Sequence, residues 1–194
     1  MPNLEEIENK LRKIKEEVLN CKKCSLYKER KYPVIGEGNH QTKIMFVGEA
    51  PGAQEDKTGR PFCGHSGKVL DELLDSVGIK RQEVYIANLL KCRPPKNRDP
   101  ELEEVKICTS YLDRQIEIIK PEVICSLGRY SMEFLMEKFG LGEKIQLISK
   151  IHGKIFEVEK LKLIPFYHPA VAVYNSNMKE ILKRDFQILK GFKT

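Results

Sequence analysis

The sequence predicts an α/β fold, a single-domain three-layer α/β/α sandwich around a central, mostly parallel sheet, over residues 1–194. Three observations predict it. Apolar runs at Ile44 to Val47, Val84 to Ala87 and Val123 to Leu127 alternate with longer stretches of helical periodicity, as strands joined by crossover helices do. The runs are continuous rather than alternating, which suits strands covered on both faces. A chain of 194 residues also buries an ordinary core without disulfide staples, and no repeat, low-complexity tract or linker divides it.

Leu4, Ile7, Leu11, Ile14 and Val18 fall at helical spacing behind Asn3, a capping residue, so a helix is expected over about residues 4 to 19. Cys21 and Cys24 follow in a basic patch. A glycine-rich turn, Gly36 to Asn39, then leads to the strand at Ile44 to Val47. That strand empties into a polar loop reaching Gly67, and ligands in open α/β sheets collect beyond the carboxyl ends of strands. Glu49, Pro51, Gly52, Glu55, Asp56 and Phe62 are expected to face the ligand; Cys63 sits beside Phe62.

Val69, Leu70, Leu73, Leu74 and Val77 mark the next helix, closed by Gly78. The strand Val84 to Ala87 ends at Asn88, and the prolines after Cys92 make a loop. Asp99, Pro100 and Glu101 read as cap, first helical residue and acidic first turn of a helix running to about Ile119, with Leu102, Val105, Leu112 and Ile116 inward. After Val123 to Leu127 comes a helix with Met132, Leu135, Met136 and Phe139 on its apolar face. Two strands, Ile155 to Val158 and Leu161 to Phe166, follow, and the second ends at Tyr167, His168 and Pro169. A last helix is expected over about Met178 to Leu189.

Glu49, Asn88 and His168 therefore follow the ends of three strands and converge on one rim. Solubility requires no such placement. His40, His65 and His152 read as surface or packing residues.

Lys and Arg exceed Asp and Glu by 34 to 28, a formal +6, a mild bias that suits an anionic partner. No apolar run is long enough to span a membrane and the first residues are densely charged, so the expected place is the cytoplasm. Abundant Lys, Glu and Ile with no Trp resemble heat-adapted compositions. Among the 6 cysteines, the Cys21-x2-Cys24 pair joined by Cys92 and Cys108 can make a four-thiolate site for zinc or for an iron-sulfur cluster. With every ligand position filled by protein, the site would be structural. Cys125, inside an apolar strand, belongs to the core.

GEAPGAQED at Gly48 to Asp56, RPFCGHSG at Arg60 to Gly67, ANLLKCRPP at Ala87 to Pro95 and HPA at His168 to Ala170 together resemble the family 4 uracil-DNA glycosylases, across nearly the whole chain. The resemblance implies the uracil-DNA glycosylase fold, a [4Fe-4S] cluster on Cys21, Cys24, Cys92 and Cys108, and removal of uracil from single- and double-stranded DNA by hydrolysis of its N-glycosidic bond. A base in a duplex must be extruded for such chemistry. Phe62 is then the stacking platform, with Ala50 and Gly52 beside the base. Asn88 donates to uracil O4 and accepts from N3-H, a pattern that cytosine reverses. His168 donates to uracil O2 as negative charge gathers on the departing base. Another branch of these enzymes places an aspartate where this chain has Ala50, leaving Glu49 and Glu55 as candidates to orient water or oppose positive charge on the sugar. Glu55 could instead exclude the thymine methyl group.

Ser66, Lys91 or Arg93, and the segment after His168 are expected to meet the DNA backbone, with Tyr174 as a wedge. A monomer is expected, associated with the nucleoid. Gln187 to Phe192 starts like a sliding-clamp peptide but has Lys190 where an aliphatic anchor is wanted. The rival classes are a non-catalytic four-cysteine zinc module that binds nucleic acid, and an iron-sulfur electron carrier. Both leave the strand-end residues without a purpose.

Overall fold

A computed structural model describes residues 3–192. Its 6-stranded sheet has the order β1-β3-β2-β4-β6-β5, with β1 at Glu37–Gly38, β2 at Ile44–Gly48, β3 at Tyr85–Asn88, β4 at Val123–Leu127, β5 at Phe156–Val158 and β6 at Leu161–Phe166. The four central strands are parallel, and β1 and β5 close the two edges in antiparallel pairing. β2 lies between β3 and β4, so the chain winds outward on either side of it; a crevice opens at such a reversal.

The period of two along β2 sorts its side chains between two cores. Met45 and Val47 join Ile7, Leu11, Ile14 and Val18 of helix α1 (Leu4–Leu19), Tyr111 and Leu112 of α4 (Leu102–Ile119), and Met132 and Leu135 of α5 (Arg129–Lys138). Ile44 and Phe46 join Leu70, Leu73 and Leu74 of α3 (His65–Ser76) and Leu182 and Phe186 of α8 (Ser176–Phe186) on the other face. Three layers result, as the sequence predicts.

The local differences have physical causes. The expected cap at Asp99 moves to Glu101, because Glu101 and Glu104 cap α4 reciprocally while Arg98 holds both oxygens of Glu104 at 2.9 and 2.6 Å. Asp99 instead accepts from the Tyr130 hydroxyl. The later start turns Leu102 outward, 90% exposed, and the inward face is carried by Cys108, Tyr111, Leu112, Gln115 and Ile119.

Two short helices fill stretches that read as loop: α2 (Ala53–Thr58), and α7 (Ala170–Tyr174) directly after His168. The turn before β2 contributes the edge strand β1. Ile155 stays outside β5 and is exposed. The remaining helix, α6, is Ile148–Ile151, and α8 passes into a 3-10 turn at Gln187–Phe192. In that turn Leu189 is buried and Ile188 and Phe192 pack on the core, so the apolar side chains of the clamp-like peptide are already engaged. No helix among the described residues is long and apolar enough to cross a membrane.

Candidate active site

At the carboxyl ends of β2, β3 and β6, Ala50, Gly52, Glu55, Phe62, Ser66, Asn88 and His168 line one pocket with about 390 Å3 of empty space. The register pairs Gly48 with Asn88. A side chain at Gly48 would collide with Asn88 Oδ1 and lie 2.8 Å from the Phe62 ring, so the glycine makes room for both. Phe62 is buried with φ 48°, a left-handed conformation that only a well-determined surrounding sustains in a residue with a side chain. The Phe62 carbonyl fills the space where Gly67 has no side chain.

Asn88 is 2% exposed, and its Oδ1 is buried without a hydrogen-bond partner. Buried polar atoms are almost always paired, so an orphan acceptor on a residue that lines the pocket marks Asn88 as a candidate partner for a ligand's donor. His168 is partly buried, and its ring stacks on Phe62. The Ala170 N–H donates to its Nδ1 at 3.1 Å, which assigns the proton of the neutral ring to Nε2. Burial pushes the His168 pKa down from 6.5 to about 4, against the opposing pull of Glu55, so the ring is neutral near pH 7.

Glu55 is held by the wall it builds. Its Oε1 accepts from the N–H groups of Cys63 and Gly64, both at 2.9 Å, where the chain enters α3. Ser66, in the first turn of α3, lines the pocket itself. Glu49 stands between Gly48 and the pocket residue Ala50 but outside the ring of lining residues. Its pKa is raised from 4.5, first by burial and then by Asp99, with Arg129 pulling the other way. Asp56 turns away, its carboxylate accepting from the Lys31 N–H at 3.0 Å.

Cys21, Cys24, Cys92 and Cys108 line a second, mostly apolar cavity with Arg30, Lys91 and Tyr111. Sulfur acceptors are already addressed: Arg30 Nη1 donates to Cys92 Sγ and the Lys91 N–H to Cys108 Sγ, each at 3.2 Å. Burial raises the pKa of Cys24 and Cys92 and takes Cys108 to about 11. Among the described residues no three His, Cys, Asp or Glu side chains are gathered as a single-ion site. Cys63 lies apart, 3.2 Å from Thr58 Oγ1.

Of the expected backbone contacts, Arg93 Nε is bound to Asn97 Oδ1 at 2.7 Å, and Tyr174 is 90% exposed at the end of α7. Lys91 cannot reach a phosphate. It is 1% exposed and its ammonium donates to Asn88 O at 2.9 Å and Gln115 Oε1 at 2.8 Å. Burial pulls its pKa down to about 8, with Cys108 pushing it up. Sequence reasoning missed Gly48, Gln115 and the inward turn of Lys91; the run Ala-Asn-Leu-Leu before Lys91 was the available sign of its burial.

A family model described as the uracil DNA glycosylase superfamily matches residues 35–190. A type-4 uracil-DNA glycosylase of Sulfurisphaera tokodaii is 48% identical over 185 residues, covering 93% of this chain and 83% of that one. One from Archaeoglobus fulgidus is 47% identical over 175 residues, covering 88% and 87%. Another from Thermotoga maritima is 43% identical over 182 residues, covering 92% of each. A strand-end pocket with an orphaned asparagine acceptor, joined to identity at this level over most of the chain, places the protein in the uracil DNA glycosylase superfamily, among the type-4 uracil-DNA glycosylases.

Proposed function

We propose that the pocket takes an everted uracil and that the chain, as one catalytic domain, hydrolyses its N-glycosidic bond, releasing free uracil and leaving an abasic site in single- or double-stranded DNA. The observation that carries this reading is the unpartnered Oδ1 of Asn88. Uracil N3-H satisfies it, while the Asn88 amide NH2 donates to O4. Cytosine presents a lone pair at N3 and an amine at C4, leaving buried groups unpaired at a cost of about 1–3 kcal/mol each.

Water adds to C1′ as the bond from C1′ to N1 breaks, and the electron pair leaves with the base. The charge gathers on O2, where the neutral His168 donates from Nε2; a donor fixed in advance acts more strongly on the transition state than on the substrate. Glu49 takes the proton of the attacking water. Its raised pKa suits a base, and it adjoins the lining residue Ala50 in the chain. Glu55, committed to two backbone donors, shapes the wall with Gly52 and Ala50. Tyr174 enters the stack vacated by the base, and Ser66 and Arg93 meet the backbone.

Cys21, Cys24, Cys92 and Cys108 fit a [4Fe-4S] cluster: four soft donors surround one hollow whose neighbours Arg30 and Lys91 oppose thiolate charge. When bound, the cluster supplies four thiolate bonds that tie the end of α1 to the loop after β3 and to α4. A heat-adapted source belongs to the same reading, supported by the linked ion pairs of Glu37 with Arg60 and Arg81, and of Arg81 with Asp71. We place the enzyme on cytoplasmic DNA as a monomer.

The test is release of free uracil from an oligonucleotide with one deoxyuridine, beside the same oligonucleotide carrying deoxycytidine. Release from the first alone, with loss in Asn88→Ala and His168→Ala, is expected. Intact deoxyuridine in both single and paired strands, with a folded cluster-loaded protein, overturns the reading.

A further inference from the structure

Lys91 is the one lysine buried among the described residues, and it sits between the four-cysteine cavity, which it lines, and the strand end that carries Asn88. Its main-chain N–H donates to Cys108 Sγ at 3.2 Å and its ammonium to the Asn88 carbonyl at 2.9 Å. The second acceptor of the ammonium, Gln115 Oε1 at 2.8 Å, is itself fixed, because Gln115 Nε2 donates to Ile35 O and Tyr85 Oη, each at 3.0 Å. Cys108 and Gln115 are two turns apart on one face of α4, so a single helix sets both ends of the arrangement.

Removing an ammonium from water is costly, and two neutral acceptors offset only part of that cost. Methionine would fill the same volume without the penalty. The ammonium does what methionine cannot: the Leu89 N–H holds one side of the peptide after Asn88 through Gly48 O at 3.0 Å, and the ammonium holds the other through the Asn88 carbonyl, so the plane that carries the Asn88 side chain is pinned from both sides.

We infer that Lys91 is a positioning residue for base recognition, clamping the main chain of Asn88 so that its side-chain amide is held in place at the pocket wall, and tying that clamp through its own backbone to the cysteine site. This rests on Asn88 as the reader of the base. Selectivity for uracil then depends on a side chain that never touches the base.

A double-mutant cycle tests it. Wild type, Lys91→Met, Asn88→Ala and the double variant are prepared with cluster absorbance and melting temperature recorded. Each is measured for calorimetric affinity for free uracil and for kcat and KM on a deoxyuridine oligonucleotide. Lys91→Met is expected to weaken uracil binding and kcat/KM roughly tenfold, with visible absorbance per chain unchanged. In the Asn88→Ala background the same change is expected to cost less than about twofold. Equal losses in both backgrounds, or none in either, overturn the inference. If Asn88→Ala alone leaves uracil binding and selectivity intact, the base-reading role fails first and the inference falls with it. Should Lys91→Met lose its fold or cluster, Gln115→Leu enters the same cycle. A loss of roughly threefold that vanishes beside Asn88→Ala supports the clamp, and an undiminished loss overturns it.

Discussion

The rings of Phe62 and His168 lie 5.5 Å apart, centroid to centroid, and 29° from parallel. A base sandwiched between them would need about 7 Å, two aromatic contacts of roughly 3.5 Å. The two rings therefore do not grip uracil from both sides. On the proposed function, the base stacks on the part of Phe62 that His168 leaves open, and His168 meets its edge. Phe62→Ala should weaken free-uracil binding by about 1–3 kcal/mol, read by calorimetry. Alanine meets the same left-handed backbone as phenylalanine, so the loss reports the ring rather than the turn.

Gly48→Ala is a sharper probe, because its methyl group points at Asn88 Oδ1 and at the Phe62 ring, both buried, so that one or both must shift. Uracil release should fall by roughly 10²-fold while circular dichroism and cluster absorbance stay near those of the parent, since the displaced atoms belong to the site. A variant that keeps parental activity would show that the site tolerates a shift of Asn88.

The acid limb of kcat/KM should report Glu49. A base must be ionised, and its pKa lies above 4.5, so activity declines as pH falls through that raised value, before His168 protonates at about 4. Asp99→Asn removes a charge that holds the Glu49 pKa up and should carry the limb to lower pH. Arg129→Gln removes one that holds it down and should carry the limb to higher pH. Limbs that stay in place in both variants would reassign the base.

Stability should carry the mark of His168. Its folded pKa, about 4, lies below the usual 6.5, so the unfolded chain binds the extra proton across that interval. The contribution of the neutral ring is complete above pH 6.5 and is lost progressively as pH falls toward 4. Melting temperature against pH should therefore fall more steeply between those values in the parent than in His168→Asn.

Replacing one of the four cysteines proposed to hold the cluster should be felt far from the pocket. Cys24→Ser is expected to abolish visible absorbance and lower the melting temperature by roughly 5–10 °C. Burial raises the thiol pKa values of Cys24, Cys92 and Cys108, so protons compete with iron, and loading should weaken on acidification. An unchanged melting temperature in a colourless Cys24→Ser would deny the tie its structural role.

The centre of the sheet was legible because β2, β3 and β4 are buried on both faces and announce themselves as apolar runs, and the rim was legible because Asn88 ends one strand and His168 follows another. Side-chain direction was not. Leu102 looked inward by periodicity, yet the Glu101–Glu104 cap delays the helix and leaves it in water. Lys91 looked outward by charge, yet Gln115, a polar residue on the inward face of α4, supplies the acceptor that keeps it inside. The helices α2 and α7 escaped notice because each is little more than one turn, too short for a period to register.

Since β2 is flanked by strands laid down on either side of it, the loops leaving β2 and its neighbours diverge whatever residues they carry. The hollow is thus older in logic than its lining. Exchanging Ala50, Ser66 or Glu55 would alter which heterocycle is welcome there, while the vacancy itself would survive as long as the winding does.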